Sequence, residues 1–200
     1  MQKNKKVEMD FLPKGARLLL LSCCAPCSIG VIERLKKEGV DFTVLFYNPN
    51  IYPFEEYQKR LEENKRICQE ENVPFVELPW EHSDWCQVTT GLENEPEKGK
   101  RCDKCFYLRL TRAALFAKEY HFTHFTSVLG VSRYKNFEQV TSIAENISKE
   151  HAIPYLSTNW RKNGGEDRRA YLAKERKLYH QTYCGCTPSK KPLSTSKITN

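Results

Sequence analysis

The sequence predicts an α/β fold with a doubly wound, mostly parallel sheet. Short apolar runs alternate along the chain with longer segments of helical periodicity, and this alternation favours parallel strands that are covered by helices. The 200 residues, of which 40% are hydrophobic, are enough for one domain with a sizeable core. We therefore expect a single domain at 17–186, a flexible basic lead at 1–16 and a flexible tail at 187–200.

The predicted elements follow one another in the order that such a sheet requires. The first strand, at 17–22, contains four consecutive leucines and precedes a helix at 29–38, for which Ser28 is a suitable N-cap and Gly39 a stop. The acidic segment at 80–100 is predicted to be a loop. Further strands are predicted at 41–47, 75–79, 122–129 and 155–157, and further helices at 54–71, 101–120, 136–149 and 168–179.

The charge of the chain narrows the class of partner. A formal net charge of +7 and a pI near 8.9 favour a polyanion. Nucleic acid is favoured over a membrane surface, because no basic amphipathic segment stands out. No apolar run reaches the ~18 residues that a membrane span requires. The basic start of the chain lacks the apolar core of a secretion signal, so secretion is not expected.

The cysteines carry the strongest functional signal. There are nine, an odd number, and a reducing compartment would keep most of them as free thiols. Cys23, Cys24 and Cys27 lie between the first strand and the first helix. Open α/β sheets place ligand sites there, and the start of a helix favours thiolate over thiol. Three thiols at this position indicate a functional site rather than a cluster of small core residues.

A second group, Cys102 and Cys105, has the C-x-x-C spacing of half a metal site at the start of a helix. A thioredoxin-like dithiol is the alternative, but the small residues usual between such cysteines are missing. With Cys23 and Cys24, this pair would complete a site of four thiolates. Zinc and an iron–sulfur cluster both accept four cysteines, and adjacent ligands such as Cys23 and Cys24 favour the larger cluster.

A third group consists of Cys184 and Cys186, which are separated by a single residue. A disulfide across so short a loop would be strained, and strained disulfides are the labile, catalytic kind. A third pair of metal ligands is the alternative. Cys27 is a candidate ligand of a second metal, a candidate proton donor or a packed side chain. Cys68 is expected in the core, and Cys86 is assigned no role.

Together these motifs resemble those of the QueH-type epoxyqueuosine reductases, and the resemblance extends over about residues 18–186. Six motifs occur in the order typical of that family, which makes the resemblance specific. The motifs are Ser22-Cys23-Cys24-Ala25-Pro26-Cys27-Ser28, Phe46-Tyr47-Asn48-Pro49-Asn50-Ile51, Arg101-Cys102-Asp103-Lys104-Cys105-Phe106 with Arg109-Leu110, Ser132-Arg133-Tyr134-Lys135-Asn136, Arg161-Lys162-Asn163-Gly164-Gly165 and Tyr183-Cys184-Gly185-Cys186.

The resemblance implies a fold and an activity. The fold would be nucleotide-hydrolase-like (HUP-like) with three layers, and residues 23–28 would take the place of a phosphate-binding loop. The chain lacks the Ser-Gly-Gly-x-Asp-Ser run of an ATP pyrophosphatase, so no use of ATP is expected. The activity would be that of a cytoplasmic oxidoreductase that reduces the epoxide of epoxyqueuosine, at the wobble position of a tRNA, in the last step of queuosine biosynthesis.

The resemblance also implies the redox groups. Reduction of an epoxide to an alkene consumes two electrons and two protons; a dithiol holds two electrons, whereas a cluster transfers them singly. Cys184 and Cys186 would form the redox-active disulfide, Cys27 is the candidate ligand for an additional iron or other metal ion, and the electron donor is unidentified. The implied [4Fe-4S] cluster would be bound by Cys23, Cys24, Cys102 and Cys105.

Several residues are candidates for binding the tRNA. Basic side chains interleaved with aromatic ones can bind phosphates and stack an unpaired base. A solvated surface position is the alternative for each lysine or arginine, and core packing is the alternative for Tyr47. The candidates are Tyr47, Asn48, Arg133, Tyr134, Lys135, Arg161 and Lys162.

Two other functions remain open at this point. A zinc-stabilised RNA-binding module without catalysis would explain the charge and the first two cysteine groups, but not Cys184 and Cys186. An iron–sulfur reductase acting on another substrate would explain all three groups. The metal and sulfide content of the protein distinguishes the zinc-stabilised module from a reductase. The modification state of tRNA distinguishes a reductase for another substrate from an epoxyqueuosine reductase.

Overall fold

The computed structural model describes residues 12–190, and within that range the sheet is parallel throughout. Its strand order is β3-β2-β1-β4, with Arg17 of β1 paired to Asp41 of β2 and Leu18 of β1 paired to His124 of β4. The strands are β1 (Arg17–Ser22), β2 (Asp41–Phe46), β3 (Phe75–Glu77) and β4 (His124–Ser127).

Helices cover both faces of this sheet. The helices are α1 (Ala25–Lys37), α2 (Phe54–Glu70), α3 (His82–Thr89), α4 (Lys100–Glu119), α5 (Phe137–His151) and α6 (Gly165–Glu175). α1 packs against α2 and α6, whereas α4 packs against α3 and α5. Right-handed crossovers between parallel strands place these two groups on opposite faces, because the chain moves first towards β3 and then back to β4. The predicted doubly wound, three-layer architecture is therefore confirmed.

β1 is the central element of the core. Its four leucines, 18–21, have no exposed surface, as expected for a parallel strand that is covered on both faces. The strand order reverses between β1 and β4, so the carboxyl end of β1 lies at the switch point of the sheet. Ligands of open α/β sheets bind in the crevice at that point.

The first helix begins earlier than predicted, at Ala25 instead of residue 29. Pro26 fits the first turn, because its fixed φ suits a helix and its missing N–H is not needed there. Ser28 therefore lies inside α1 and is not its N-cap; its Oγ is 3.0 Å from the carbonyl oxygen of Cys24 and 2.6 Å from the Oγ of Ser22. Cys23 and Cys24 thus precede the helix, and Cys27 lies in its first turn.

Other differences concern the periphery of the fold. The predicted loop at 80–100 contains α3, which buries Trp85 and Thr89, four residues apart. The predicted strand at 155–157 is reduced to a single parallel bridge between Phe125 and Tyr155. Residues 187–189 form a short 3₁₀ turn, and the rest of the predicted tail, from 191, lies outside the described residues, as does 1–11 of the predicted lead.

Two further observations complete the fold. Cys68 on α2 is 1% exposed, so its prediction as a core residue is confirmed. None of the helices between residues 12 and 190 is both long and apolar enough to cross a membrane.

We predict that Leu20→Ala lowers the free energy of unfolding by about 2–5 kcal/mol, because it leaves a cavity in a strand that is covered on both faces. Leu115→Ala is the matched control, since Leu115 on α4 is 40% exposed, and its effect is expected within about 0.5 kcal/mol. Urea denaturation followed by circular dichroism measures both. Equal losses in the two variants would contradict the central position of β1.

Candidate metal centre

The first cysteine group forms a compact cluster of thiols at the switch point of the sheet. The sulfur atoms of Cys23, Cys24 and Cys27 all lie within 4.8 Å of one another, and those of Cys23 and Cys24 are 3.8 Å apart. All three residues are buried. The early start of α1 produces this arrangement, because it brings Cys27 back over the two cysteines that precede the helix.

The pKa values of the three thiols are shifted in different directions. Hydrogen bonding with the Cys24 and Cys27 thiols lowers the pKa of Cys23, even though burial opposes its ionisation. The hydrogen bond to Cys23 in turn raises the pKa of Cys24 to about 12, and the pKa of Cys27 is also raised by Cys23. A bound cation such as a metal ion would favour the thiolate forms of Cys24 and Cys27, whose pKa values are raised.

Two buried cations face these thiols. The charges of Arg109 and Lys135 both stabilise the Cys23 thiolate. Burial by itself would lower the pKa of Lys135, but its electrostatic interaction with the side chains of Cys184, Cys23 and Cys27 raises it overall. Lys135 is 6% exposed, so the structure places this predicted tRNA contact beside the cysteines rather than on an open surface.

Arg109 also connects the ends of two strands. Its side chain donates to the carbonyl oxygen of Tyr47 and to the Oδ1 of Asn48, and Asn48 Nδ2 donates to the carbonyl oxygen of Ser22 at 3.0 Å. Tyr47 and Asn48 are each 1% exposed. These two candidates for binding the tRNA therefore form part of the support beneath the cysteines.

The second and third cysteine groups lie at the same end of the sheet. Cys102 packs against the main core cluster, which contains the first group. Cys105 packs with Cys186 and Trp85 in a smaller cluster. Arg109 is an electrostatic neighbour of both Cys23 and Cys105. Burial raises the pKa of Cys105 to about 11 and also raises that of Cys102.

The segment before the third group also contacts the first group. Nε2 of Gln181 lies 2.8 Å from the sulfur of Cys24, in donor geometry. Cys184 and Cys186 are free thiols in the structure, half-buried and buried respectively. Both are electrostatic neighbours of Cys102 and Cys105.

The donor set fits a metal with a preference for sulfur. Thiolates select zinc, copper(I) and iron–sulfur clusters over hard cations. Two buried polar atoms near the thiols have no hydrogen-bond partner within residues 12–190: Nε1 of Trp85, which packs with Cys105 and Cys186, and Oε1 of Gln181, whose amide also contacts Cys24. An indole N–H without a partner can be satisfied by a group that adds sulfur acceptors.

The remaining tRNA candidates lie nearer the surface. Arg133, Arg161 and Lys162 are exposed. The guanidinium of Arg133 lies 5.3 Å from the ring centre of Tyr134, whose hydroxyl donates to the carbonyl oxygen of Thr182 at 3.1 Å. The structure therefore brings Tyr134 to the segment that carries the third cysteine group.

Some residues of the site were not recognised in the sequence. The sequence indicates no role for Arg60 and predicts a loop around Trp85, whereas Gln181 belongs to the segment 179–183, whose aromatic and polar residues suit the lining of a substrate cavity. A signal existed for Arg60, because it occupies the apolar stripe of α2, between the buried Tyr57 and Asn64. A charged residue in such a stripe indicates a buried partner.

Two solved structures are similar in fold. The U34-tRNA thiolase NcsA from Methanococcus maripaludis, solved with its [4Fe-4S] cluster, aligns with a TM-score of 0.57 at 13% identity, over 88% of this chain and 63% of that one. A predicted subunit of tRNA methyltransferase from Methanocaldococcus jannaschii aligns with a TM-score of 0.54 at 12% identity, over 90% of this chain and 94% of that one. At such identities the likeness concerns the fold alone, and it agrees with the nucleotide-hydrolase-like architecture expected from the sequence.

Comparison of sequences is more specific. The family model described as "Epoxyqueuosine reductase QueH" matches residues 18–192. A protein of that name from Acinetobacter baylyi is 47% identical over 185 residues, which cover 92% of this chain and 85% of the relative. Another from Histophilus somni is 43% identical over 180 residues, which cover 89% and 74%. This chain therefore belongs to the QueH family of epoxyqueuosine reductases.

Proposed function

We propose that this chain reduces the epoxide of epoxyqueuosine in tRNA, which yields queuosine. The match to the QueH family along residues 18–192 is the observation that carries this proposal. The grouping of buried thiols at the switch point of the sheet supports it, because a reductase needs redox-active groups where a ligand can enter.

The cofactor we propose is a [4Fe-4S] cluster. When bound, such a cluster supplies single electrons. The soft donors and the buried cations that balance thiolate charge suit it. Cys27, the third thiol of the first group, would then be the ligand for an additional iron or other metal ion. The four cysteines proposed to hold the cluster are Cys23, Cys24, Cys102 and Cys105.

Cys184 and Cys186 are proposed to supply the electron pair. Both C–O bonds of the epoxide break, a C=C bond forms, and the two thiols lose two electrons and two protons as their S–S bond forms. The oxygen leaves with the two protons as water, so atoms and charge balance. The Lys135 ammonium has Cys184 among its electrostatic neighbours, and it would stabilise negative charge on that sulfur during the step.

The exposed basic residues are proposed to bind the tRNA backbone. The start of α6 lies beside the start of α1, since Nη1 of Arg169 donates to the carbonyl oxygen of Pro26 at 3.3 Å. Arg161 and Lys162 lie within four residues of the first residue of α6, and this position in the chain supports their placement near the rim of the cysteine site. Arg133 and Tyr134 are proposed to contact the RNA from the loop that follows β4.

The zinc-stabilised module without catalysis is the weaker candidate. It leaves Cys184 and Cys186 without a role, although Cys186 packs directly with Cys105. A reductase for another substrate would use the same residues, so only the identity of the product distinguishes it from the proposed enzyme.

We predict that the protein, purified without oxygen, contains about four irons and four acid-labile sulfides per chain, because four thiolates are the usual ligands of such a cluster. Cys23→Ser and Cys102→Ser should each lose most of this iron. Cys86→Ser is the control, since Cys86 is exposed on α3, and it should retain the wild-type content. A colourless protein that contains zinc would exclude the proposed cofactor.

The activity is tested in a bacterial strain that lacks its own epoxyqueuosine reductase. Expression of the wild-type chain should convert epoxyqueuosine to queuosine in the tRNA, as measured by mass spectrometry of digested nucleosides. Cys184→Ser and Cys186→Ser should lower this conversion at least about 100-fold, because a single thiol cannot form the intramolecular disulfide that releases two electrons, whereas Cys86→Ser should not. Persistence of epoxyqueuosine with the wild-type chain would refute the function, and full conversion by Cys184→Ser would refute the role of the dithiol.

For RNA binding we predict that the logarithm of tRNA affinity falls linearly with the logarithm of salt concentration, by roughly 0.7 to 0.9 for each phosphate contacted. The double variant Arg161→Ala/Lys162→Ala should reduce this slope by about 1 to 2. Lys118→Ala/Lys149→Ala is the control, because these exposed lysines lie near the carboxyl ends of α4 and α5, at the other end of the sheet. Equal slopes for both double variants would contradict the proposed interface.

A further inference from the structure

A buried ion pair on α2 contacts the loop that carries Cys184 and Cys186. Arg60 is 2% exposed and Glu56 is 7% exposed, and Nε of Arg60 lies 2.7 Å from Oε1 of Glu56. The other two nitrogens of the guanidinium donate to the loop: Nη1 to the carbonyl oxygen of Cys184 at 2.9 Å and Nη2 to that of Tyr183 at 3.2 Å. A buried guanidinium needs such partners, because its desolvation is otherwise uncompensated.

The remaining carbonyl groups of this loop are also held. The backbone N–H of Tyr52 donates to the carbonyl oxygen of Gly185 at 2.9 Å. Ser189 Oγ donates to the carbonyl oxygen of Cys186 at 2.7 Å, and the N–H of Gly185 is 3.3 Å from the same Oγ. Each carbonyl from residue 183 to residue 186 therefore has a donor from outside the loop or from the turn that follows it.

The hydrogen bonds from Arg60 to the carbonyl oxygens of Tyr183 and Cys184 form a clamp on the loop. The glycine between the two cysteines fits tightly against this clamp. Gly185 has a φ of +133°, a value that side chains rarely tolerate. A Cβ atom at this position would lie 3.1 Å from Cγ1 of Ile51, 3.2 Å from Nη1 of Arg60 and 3.3 Å from Nδ2 of Asn50. The loop thus has little freedom to change its backbone while Arg60 remains in place.

We propose that Arg60, held by Glu56, is a positioning residue that fixes the 184–186 loop in its dithiol conformation and so disfavours the disulfide. The proposal rests on the redox role given to Cys184 and Cys186 under the proposed function. It extends that role, since it names the group that sets the balance between the two redox states of the loop.

The physical argument concerns the closing of a very small ring. A disulfide between Cys184 and Cys186 closes a ring around a single residue, and a ring of this size restricts the backbone dihedral angles of the loop. The hydrogen bonds to Tyr183 and Cys184 are made with both thiols free, and movement of the loop weakens them. A contact made better in one state favours that state by the difference. The clamp therefore favours return of the disulfide to the dithiol after each turnover.

The charge of Arg60 reaches the first cysteine group as well. Its guanidinium is an electrostatic neighbour of Cys24 and Cys23, and it lies 5.4 Å from the ring centre of Tyr183. Within the described residues its three nitrogens donate only to Glu56 and to the loop. The guanidinium therefore joins α2 to the loop that carries the dithiol.

The thiol–disulfide equilibrium of the full-length protein tests the proposal. The protein is equilibrated without oxygen in glutathione buffers of defined ratio, free thiols are trapped by alkylation, and mass spectrometry of the peptide with both cysteines gives the disulfide fraction. Glu56→Gln/Arg60→Gln, which leaves no lone buried charge, should shift the equilibrium towards the disulfide at least tenfold, about 30 mV for a two-electron couple. Arg60→Lys keeps the positive charge but not the planar guanidinium that donates to two carbonyl oxygens, and it should shift the thiol–disulfide equilibrium by an intermediate amount.

Control variants separate this effect from a general loss of stability. Arg66 lies on the same helix as Arg60, but it is exposed and pairs with Glu63 and Glu70. The variant Arg66→Gln should therefore have the same thiol–disulfide equilibrium as the wild type. Gly185→Ala disturbs the clamp from the side of the loop without changing a charge, so it should shift the equilibrium in the same direction as the double variant. Gly185→Ala therefore tests the proposal if the double variant Glu56→Gln/Arg60→Gln does not fold.

The outcomes also separate this proposal from the proposed function. An equilibrium within twofold of wild type in Gly185→Ala, and in the double variant if it folds, overturns the clamp, even if the wild-type chain reduces epoxyqueuosine. A tenfold shift supports the clamp, even if the wild-type chain leaves epoxyqueuosine unchanged, in which case the substrate assignment fails. In an active enzyme, Arg60→Lys should lower kcat with little change in KM for tRNA, since Arg60 is buried away from the exposed basic residues.

Discussion

Balance of charge around buried thiols is the constraint on which the rest of this structure depends. Thiolates inside a protein are unstable unless cations or metals neutralise them, and here the cations come from three different elements. Arg60 comes from α2, Arg109 from α4 and Lys135 from the loop before α5, and all three are buried. Each is also tied to backbone or to thiols, so the strands and helices that supply them are held in one arrangement around the cysteines.

Much of the fold could be predicted, because its signals are local. The leucines of β1 have the continuous apolar pattern of a strand covered on both faces, and the structure has that strand at the predicted residues. The start of α1 was misplaced, because Ser28 is a good N-cap by type, whereas Pro26, in what proved to be the first turn, was the better marker. α3 was missed because its eight residues bury only two side chains, which gives little periodicity.

The cysteines of the site could be predicted from the sequence, whereas the buried polar and cationic side chains around them could be predicted only in part. Cysteine spacing is visible in a sequence, but the partners of a buried cation are chosen by tertiary packing. Lys135 illustrates the difference. Its position beside Arg133 and Tyr134 in the sequence predicts a basic surface, but in the structure Lys135 is buried while Arg133 is exposed. Tyr47 and Asn48 likewise support the ends of β1 and β2, a role that depends on Arg109 from a distant part of the chain.

The order of the cysteine groups along the chain has a consequence for biosynthesis. The first group follows the first strand, whereas the third lies after α6, so the third group is synthesised after all four described strands of the sheet. Until Gln181 and the residues after it emerge, Cys24 lacks its amide neighbour and Arg60 lacks the carbonyls that it binds. Completion of the site therefore depends on residues that follow every described strand of the sheet in the sequence.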